Sequence, residues 1–120
     1  MIEYGDRTRG LPAPPHVVWD DLVARKHEGT RAWVALQEGE VLPEVVESER
    51  PGLVVWSSLW PTRPRDSVRM TLEPKNRTET ALRFVLLAAG DEAPDERMTR
   101  HIRQRVNELL FRELRQSYDQ

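Results

Sequence analysis

The sequence contains no cysteine. That excludes disulfides, thiolate metal sites and cysteine nucleophiles, and it suits a reducing, cytoplasmic setting. Histidine is scarce: His16, His27 and His101 are scattered singly through 120 residues. A metal site needs several converging ligands, so none is expected. The six glycines are dispersed and form no phosphate-cradling loop, and Ser57-Ser58 lacks the G-x-S-x-G setting of an activated serine. No cofactor is expected. Long apolar runs are missing too. The longest, Phe84 to Ala89 (FVLLAA), has strand length, far below the roughly 20 residues of a membrane-spanning helix. The opening MIEYGDRTRG is too polar for a secretory signal. Neither charge dominates: 18 Lys and Arg stand against 20 Asp and Glu, a net charge of -2. A general nucleic-acid binder is therefore not expected.

What is present is patterned. Ile2 to Arg9 reads as a short, mostly polar strand. Pro14 and Pro15 suit the first turn of a helix, where a missing N–H has no partner anyway. Val18, Trp19, Leu22 and Val23 then make one apolar face, which predicts a short helix from Pro15 to Lys26. HEGTR breaks it, and AWVAL fits either a helical turn or a strand. From Glu40 the pattern is β. VLPEVVESE is a strand with Pro43 at an edge or entry position, and Arg50-Pro51-Gly52 is a turn. SVRMTLEP alternates, with Val68, Met70 and Leu72 on one face. KNRTE is a turn with Asn76 as its left-handed residue. TALRFVLLAA sets Leu82, Phe84 and Leu86 on one face and Ala81, Val85 and Leu87 on the other.

From Pro94 or Asp95 a long helix is predicted nearly to the C-terminus. Met98, Ile102, Val106, Leu109, Leu110, Leu114 and Tyr118 form one stripe along it. A stripe that long needs a long partner surface, and the sheet is the only candidate. Arg97, Arg100, Arg103, Arg105, Arg112 and Arg115 alternate with acids and read as a solvated outer face. Short connections between strands imply antiparallel pairing, and segregated helices imply α+β.

The stretch VVWSSLWP holds two of the four tryptophans. Turn signals bound it and alternating strands follow it, so it reads as a central strand. Trp56, Ser58 and Trp60 would then share one face.

The chain resembles the START-like, or helix-grip, superfamily, which includes Bet v 1-like proteins, polyketide cyclases/dehydrases and activator-of-Hsp90 homologues. Ala13-Pro14 with Val18-Trp19-Asp20-Asp21-Leu22 is similar to its opening A-P…V-W-x-x-L. VVESERPGLVVW is similar to its V…P-x-x-L-V-x-x-W strand pair, and TLEPKNRTETALRF to its L-E-P-x-x-x-x-T-x-L hairpin. The resemblance implies a single domain over residues 1–120: a curved antiparallel sheet of five to seven strands around the C-terminal helix, with a short helix after the first strand. It departs from the family at one place. Only about fourteen residues, Ala24 to Gln37, stand where members usually fit a second short helix and an extra strand, which favours five or six strands over seven.

The resemblance also implies a cavity between sheet and helix that takes a small apolar or aromatic molecule. By alternation its wall would include Trp56, Ser58, Trp60, Met70 and Phe84, with Met98 and Ile102 opposite. Packing as plain core is the competing reading for these residues. His101 and Arg105 lie one turn apart beside the stripe. If inward, they could orient a ligand carbonyl or carboxylate, or His101 could act as general acid/base; if outward, they are an exposed flank beside Glu108 and Arg112. His16 and His27 read as surface residues. Three functions follow: a ligand carrier, a cyclase or dehydrase using His101 or Arg105, and a protein-association module with little cavity. A cavity of several hundred Å³ favours the first two. A filled core with Trp56 packed on the long helix favours the third, and an exposed His101 removes the enzyme in this form. Oligomerisation is left open.

Overall fold

The computed structural model describes residues 1–119. Strand β1 (Ile2–Leu11) leads into helix α1 (Pro15–Ala24); β2 (Val45–Glu49), β3 (Leu53–Ser57), β4 (Ser67–Pro74) and β5 (Thr80–Ala88) follow, then α2 (Glu96–Glu108). The last helix continues as a π-helical stretch, Leu109–Leu114, and a final turn, Arg115–Ser117. The five strands form one antiparallel sheet in the order β1-β5-β4-β3-β2. This is α+β, at the lower end of the expected strand count.

Each helix begins where its sequence allows. Pro14 and Pro15 open α1. Asp95 caps α2, its carboxylate accepting from the Met98 N–H at 2.8 Å. The π-helical stretch has a cause in the spacing. Met98, Ile102, Val106, Leu110 and Leu114 recur every four residues, which drifts about 40° per step on an α-helix of 3.6 residues per turn. One wider, i→i+5 turn resets that drift. Leu109, Leu110 and Leu114 are all fully buried.

One face of the sheet carries the core. The register sets Val54 opposite Met70 and Met70 opposite Phe84, with Trp56 opposite Val68 and Val68 opposite Leu86. Directly opposed residues share a face, and all of these are buried. Helix α1 is pinned to β3 by two indoles. Trp56 Nε1 donates to the Leu22 carbonyl at 2.9 Å, one of the unpartnered carbonyls of that helix end, and Trp19 Nε1 donates to the Leu53 carbonyl at 3.0 Å.

Four local readings are corrected. Strand β3 stops at Ser57, so Trp60 does not extend it. The Ser58 hydroxyl accepts from the Trp60 N–H at 3.0 Å and turns the chain instead. Strand β2 is only Val45–Glu49. Asn76 is not left-handed; its side-chain oxygen accepts from the Thr78 N–H at 2.9 Å, which closes the turn without a positive φ. AWVAL is neither helix nor strand. Its Trp33 and Val34 N–H groups both donate to the Lys26 carbonyl, and both side chains plug the core.

Candidate functional site

The space between sheet and long helix is where a ligand would sit. Trp56, Met70, Phe84 and Ile102 lie there in one buried cluster, none more than 2% exposed. Met98 packs half-buried against it. Trp33, from the segment that replaces a second helix, stacks on Trp56 with ring centroids 5.9 Å apart, and Phe111 lies 5.9 Å from Phe84. These rings pack within the same cluster as the expected wall residues. Trp56 is packed by Trp33 and bonded to α1.

The surface carries clefts instead. One of about 390 Å³ lies at the β2–β3 turn, between Arg50, Leu53 and Arg69. Another of about 320 Å³ lies between Thr62–Asp66 and Ala89–Glu92. A third of about 280 Å³ runs from Thr30–Trp33 to Glu113 and Ser117. Neither these nor two smaller clefts are lined by Trp56, Met70, Phe84 or Ile102.

His101 and Arg105 part company. His101 is exposed and rests edge-on against Trp60, with ring centroids 6.1 Å apart. No hydrogen bond ties it to a carboxylate among the described residues, so it is not the inward acid/base that the cyclase reading required. Arg105 does turn inward, which corrects its placement on the solvated face, but it meets protein groups rather than an open site. Its Nε and Nη2 donate to the Glu40 carboxylate at 2.6 and 2.8 Å, Nη1 to Glu108 at 2.9 Å and Nη2 to the Ala35 carbonyl at 2.9 Å. The Arg105 and Glu40 side chains are 5% and 1% exposed.

Burial pushes the Glu40 carboxyl up, yet the hydrogen bonds from Arg105 and the Gln37 amide outweigh it and hold Glu40 below the ordinary glutamate value. Donating the same hydrogen bond to Glu40 raises Arg105. This pair clamps the irregular segment 35–40 onto α2. Sequence reasoning missed it because Glu40 lies 65 residues from Arg105 and nothing in its surroundings distinguishes it from a loop acid.

A second missed cluster joins Tyr4, Asp66 and Arg63. The Tyr4 hydroxyl donates to Asp66 at 2.8 Å, and Arg63 Nε and Nη2 grip the same carboxylate at 2.9 and 3.1 Å. It ties β1 to the β3–β4 connection. At the other end the Tyr118 hydroxyl donates to Asp21 at 2.8 Å, tying the last helical turn to α1. Burial, then the carboxylate partner, raises both phenol pKa values.

Two interior donors are unmatched: the indole N–H groups of Trp33 and Trp60 are buried without a partner among the described residues. Among those residues no group of three His, Asp or Glu could hold a metal ion, and no helix is long and apolar enough to cross a membrane.

A five-stranded antiparallel sheet, a short helix after the first strand and a long C-terminal helix on one face make this a helix-grip, Bet v 1-like fold. No protein-family model matches the sequence, and a search of curated proteins finds no match. Solved structures do match. The Aha1 dimer from Colwellia psychrerythraea is similar at a TM-score of 0.66 and 16% identity, over 92% of each chain. CalU16 from Micromonospora echinospora gives 0.61 and 17%, over 88% of this chain and 68% of its own. An HSP90 activator from Plasmodium falciparum gives 0.57 and 16%, over 89% and 94%. Identities this low show the shared fold, and function has to be argued from the site.

Proposed function

We propose that this START-like domain is a protein-association module that works through its surface. The observation that carries this reading is the packing beneath the helix: Trp33 stacks on Trp56 within one buried cluster, and the clefts are peripheral. Two of the similar structures, the Aha1 dimer and the HSP90 activator, are described by an association or a protein target, which supports the same direction. The exposed His101 supports no acid/base role. The proposed setting is the cytoplasm, which the lack of cysteine suits.

The test has two arms. A partner recovered with the tagged chain should bind again, by calorimetry, when both are purified. No member of an apolar and aromatic ligand library should raise the melting temperature, and native mass spectrometry should find the chain without a retained small molecule. A retained molecule, or a melting shift of several degrees with one library member, overturns the reading.

One observation favours a second reading. The buried indole N–H groups of Trp33 and Trp60 lack acceptors, and an unmatched buried donor costs about 1–3 kcal/mol. A small apolar ligand with one or two acceptor oxygens would satisfy them if the interior opened. The same library decides, since such a ligand would shift the melting temperature and a Trp33→Phe variant would lose part of the shift.

A further inference from the structure

Strand β1 is an edge of the sheet, so its outer backbone groups have no strand partner. Gly5 pairs with Leu86, Arg7 with Phe84 and Arg9 with Leu82. Leu82, Phe84 and Leu86 face the helix, and opposed residues share a face, so Arg7 and Arg9 also point to the helix side.

The helix supplies matching charge along the same seam. A Cβ on Gly5 would lie 3.2 Å from the Cγ of Arg103, so the glycine lets the Arg103 stem lie against the strand. Twelve residues further on, Arg115 Nη1 donates to the Gly10 carbonyl at 3.1 Å. Twelve helical residues rise about 18 Å, and the five strand residues from Gly5 to Gly10 about 17 Å. Helix and strand therefore run side by side, with Arg103 and Arg115 at the two ends and Arg7 and Arg9 between them.

All four arginines are exposed. Among the described residues none of them forms an ion pair, whereas Arg50, Arg63, Arg83, Arg100, Arg105 and Arg112 all do. Four unpaired cations on one seam are a local excess in a chain whose net charge is -2.

We infer that this seam is a docking surface for an extended, acidic segment of a partner protein. The segment adds to β1 through main-chain hydrogen bonds. Carboxylates at every second position reach Arg7 and Arg9 from one side, flanked by Arg103 and Arg115. The inference rests on the association reading above and names the chemistry of the partner. Nucleic acid fits less well, because the chain as a whole repels a polyanion and the four charges span only about 17 Å.

The experiment uses the full chain and fluorescein-labelled (Glu-Thr)4, whose glutamates share one side of an extended strand. Fluorescence anisotropy at low salt should show saturable binding that weakens with added NaCl. (Gln-Thr)4 and (Lys-Thr)4 should not bind. Arg7→Glu/Arg9→Glu should weaken binding at least tenfold, and Arg103→Glu, on a separate element, should do the same. Arg77→Glu, in the β4–β5 turn, should leave it unchanged. Circular dichroism melts confirm that each variant is folded, and the two independent variants guard against loss of one. No binding, equal loss with Arg77→Glu, or tighter binding of a twelve-residue oligothymidylate overturns the assignment. So does concentration-dependent self-association that Arg7→Glu/Arg9→Glu abolishes, since the occupant would then be a second copy. If these substitutions leave a reconstituted partner bound as before, the seam is wrong while the association reading stands. A melting shift with an apolar ligand overturns that reading itself.

Discussion

Glu40→Gln isolates the one ion pair that closes the irregular segment onto the long helix. The carboxylate accepts two hydrogen bonds from Arg105, at 2.6 and 2.8 Å. A glutamine offers one oxygen and one NH2, and a guanidinium has only donors. One bond is lost, and a donor then faces a donor where the side chains are 5% and 1% exposed. Breaking a buried pair at one partner costs about 3–5 kcal/mol; Glu108 and the Ala35 carbonyl still hold Arg105, so the lower end, about 3 kcal/mol, is expected. For a chain of this size that is roughly 10 °C in Tm.

Replacing both partners, as Glu40→Leu/Arg105→Met, should return stability to within about 1 kcal/mol of wild type, because neither charge then remains buried alone. Urea unfolding of wild type, Glu40→Leu, Arg105→Met and the double variant gives the coupling energy, expected at about 3 kcal/mol or more, the top of the range for contacting residues. The pH dependence carries a second sign. The Glu40 carboxyl is held below its ordinary 4.5 in the folded state. Its stabilisation is therefore complete above 4.5 and is lost as pH falls through the lower, folded value. Wild type should lose stability on acidification more steeply than Glu40→Gln, which keeps only the slope from other carboxylates such as Asp6 and Glu108, also held low. A Glu40→Gln loss under about 1 kcal/mol, or a coupling under about 0.5 kcal/mol, would refute the buried-pair reasoning.

Other outcomes are as specific. Gly5→Ala should destabilise by about 1–3 kcal/mol by overpacking, since the new methyl would lie 2.7 Å from Leu86 Cδ1 and 3.2 Å from Arg103 Cγ; an unchanged urea midpoint would contradict the close packing of Leu86 and the Arg103 stem against β1. Trp56→Ala should cost about 3–5 kcal/mol, the range for removing a large core aromatic, because the stack on Trp33 and the bond to Leu22 go together. Both tyrosines are raised by burial and a carboxylate partner. Absorbance at 295 nm should therefore show little phenolate in the native protein at pH 10.5, and a step to about three-quarters ionisation of both on adding denaturant. Native titration near pH 10 would break that assignment.

Much of the fold was legible because it rests on local periodicity. Alternation in SVRMTLEP and TALRFVLLAA fixed which residues face the helix, and the register bears this out at Met70, Phe84 and Leu86. Pro14-Pro15 and Asp95 marked the helix starts. The four-residue stripe from Met98 to Leu114 even carried the reason for the π-helical stretch, although only the wider turn reveals it. Trp60 was misplaced because a serine hydroxyl competing for the backbone ended β3 three residues earlier than alternation alone suggests.

The sequence by itself determined the α+β class, the order of the elements and the buried face of each strand, since those depend on residues a few positions apart. Tertiary structure decided what the interior holds and where the charges go. Trp33 reaches Trp56 across 23 residues, Glu40 reaches Arg105 across 65, and Arg115 meets Gly10 across 105. Such pairings carry no periodic signal, because they depend on where the chain returns in space. The two indoles of VVWSSLWP show both halves of this. Their burial could be read from the string, but only the fold sets one against Trp33 and the other against His101.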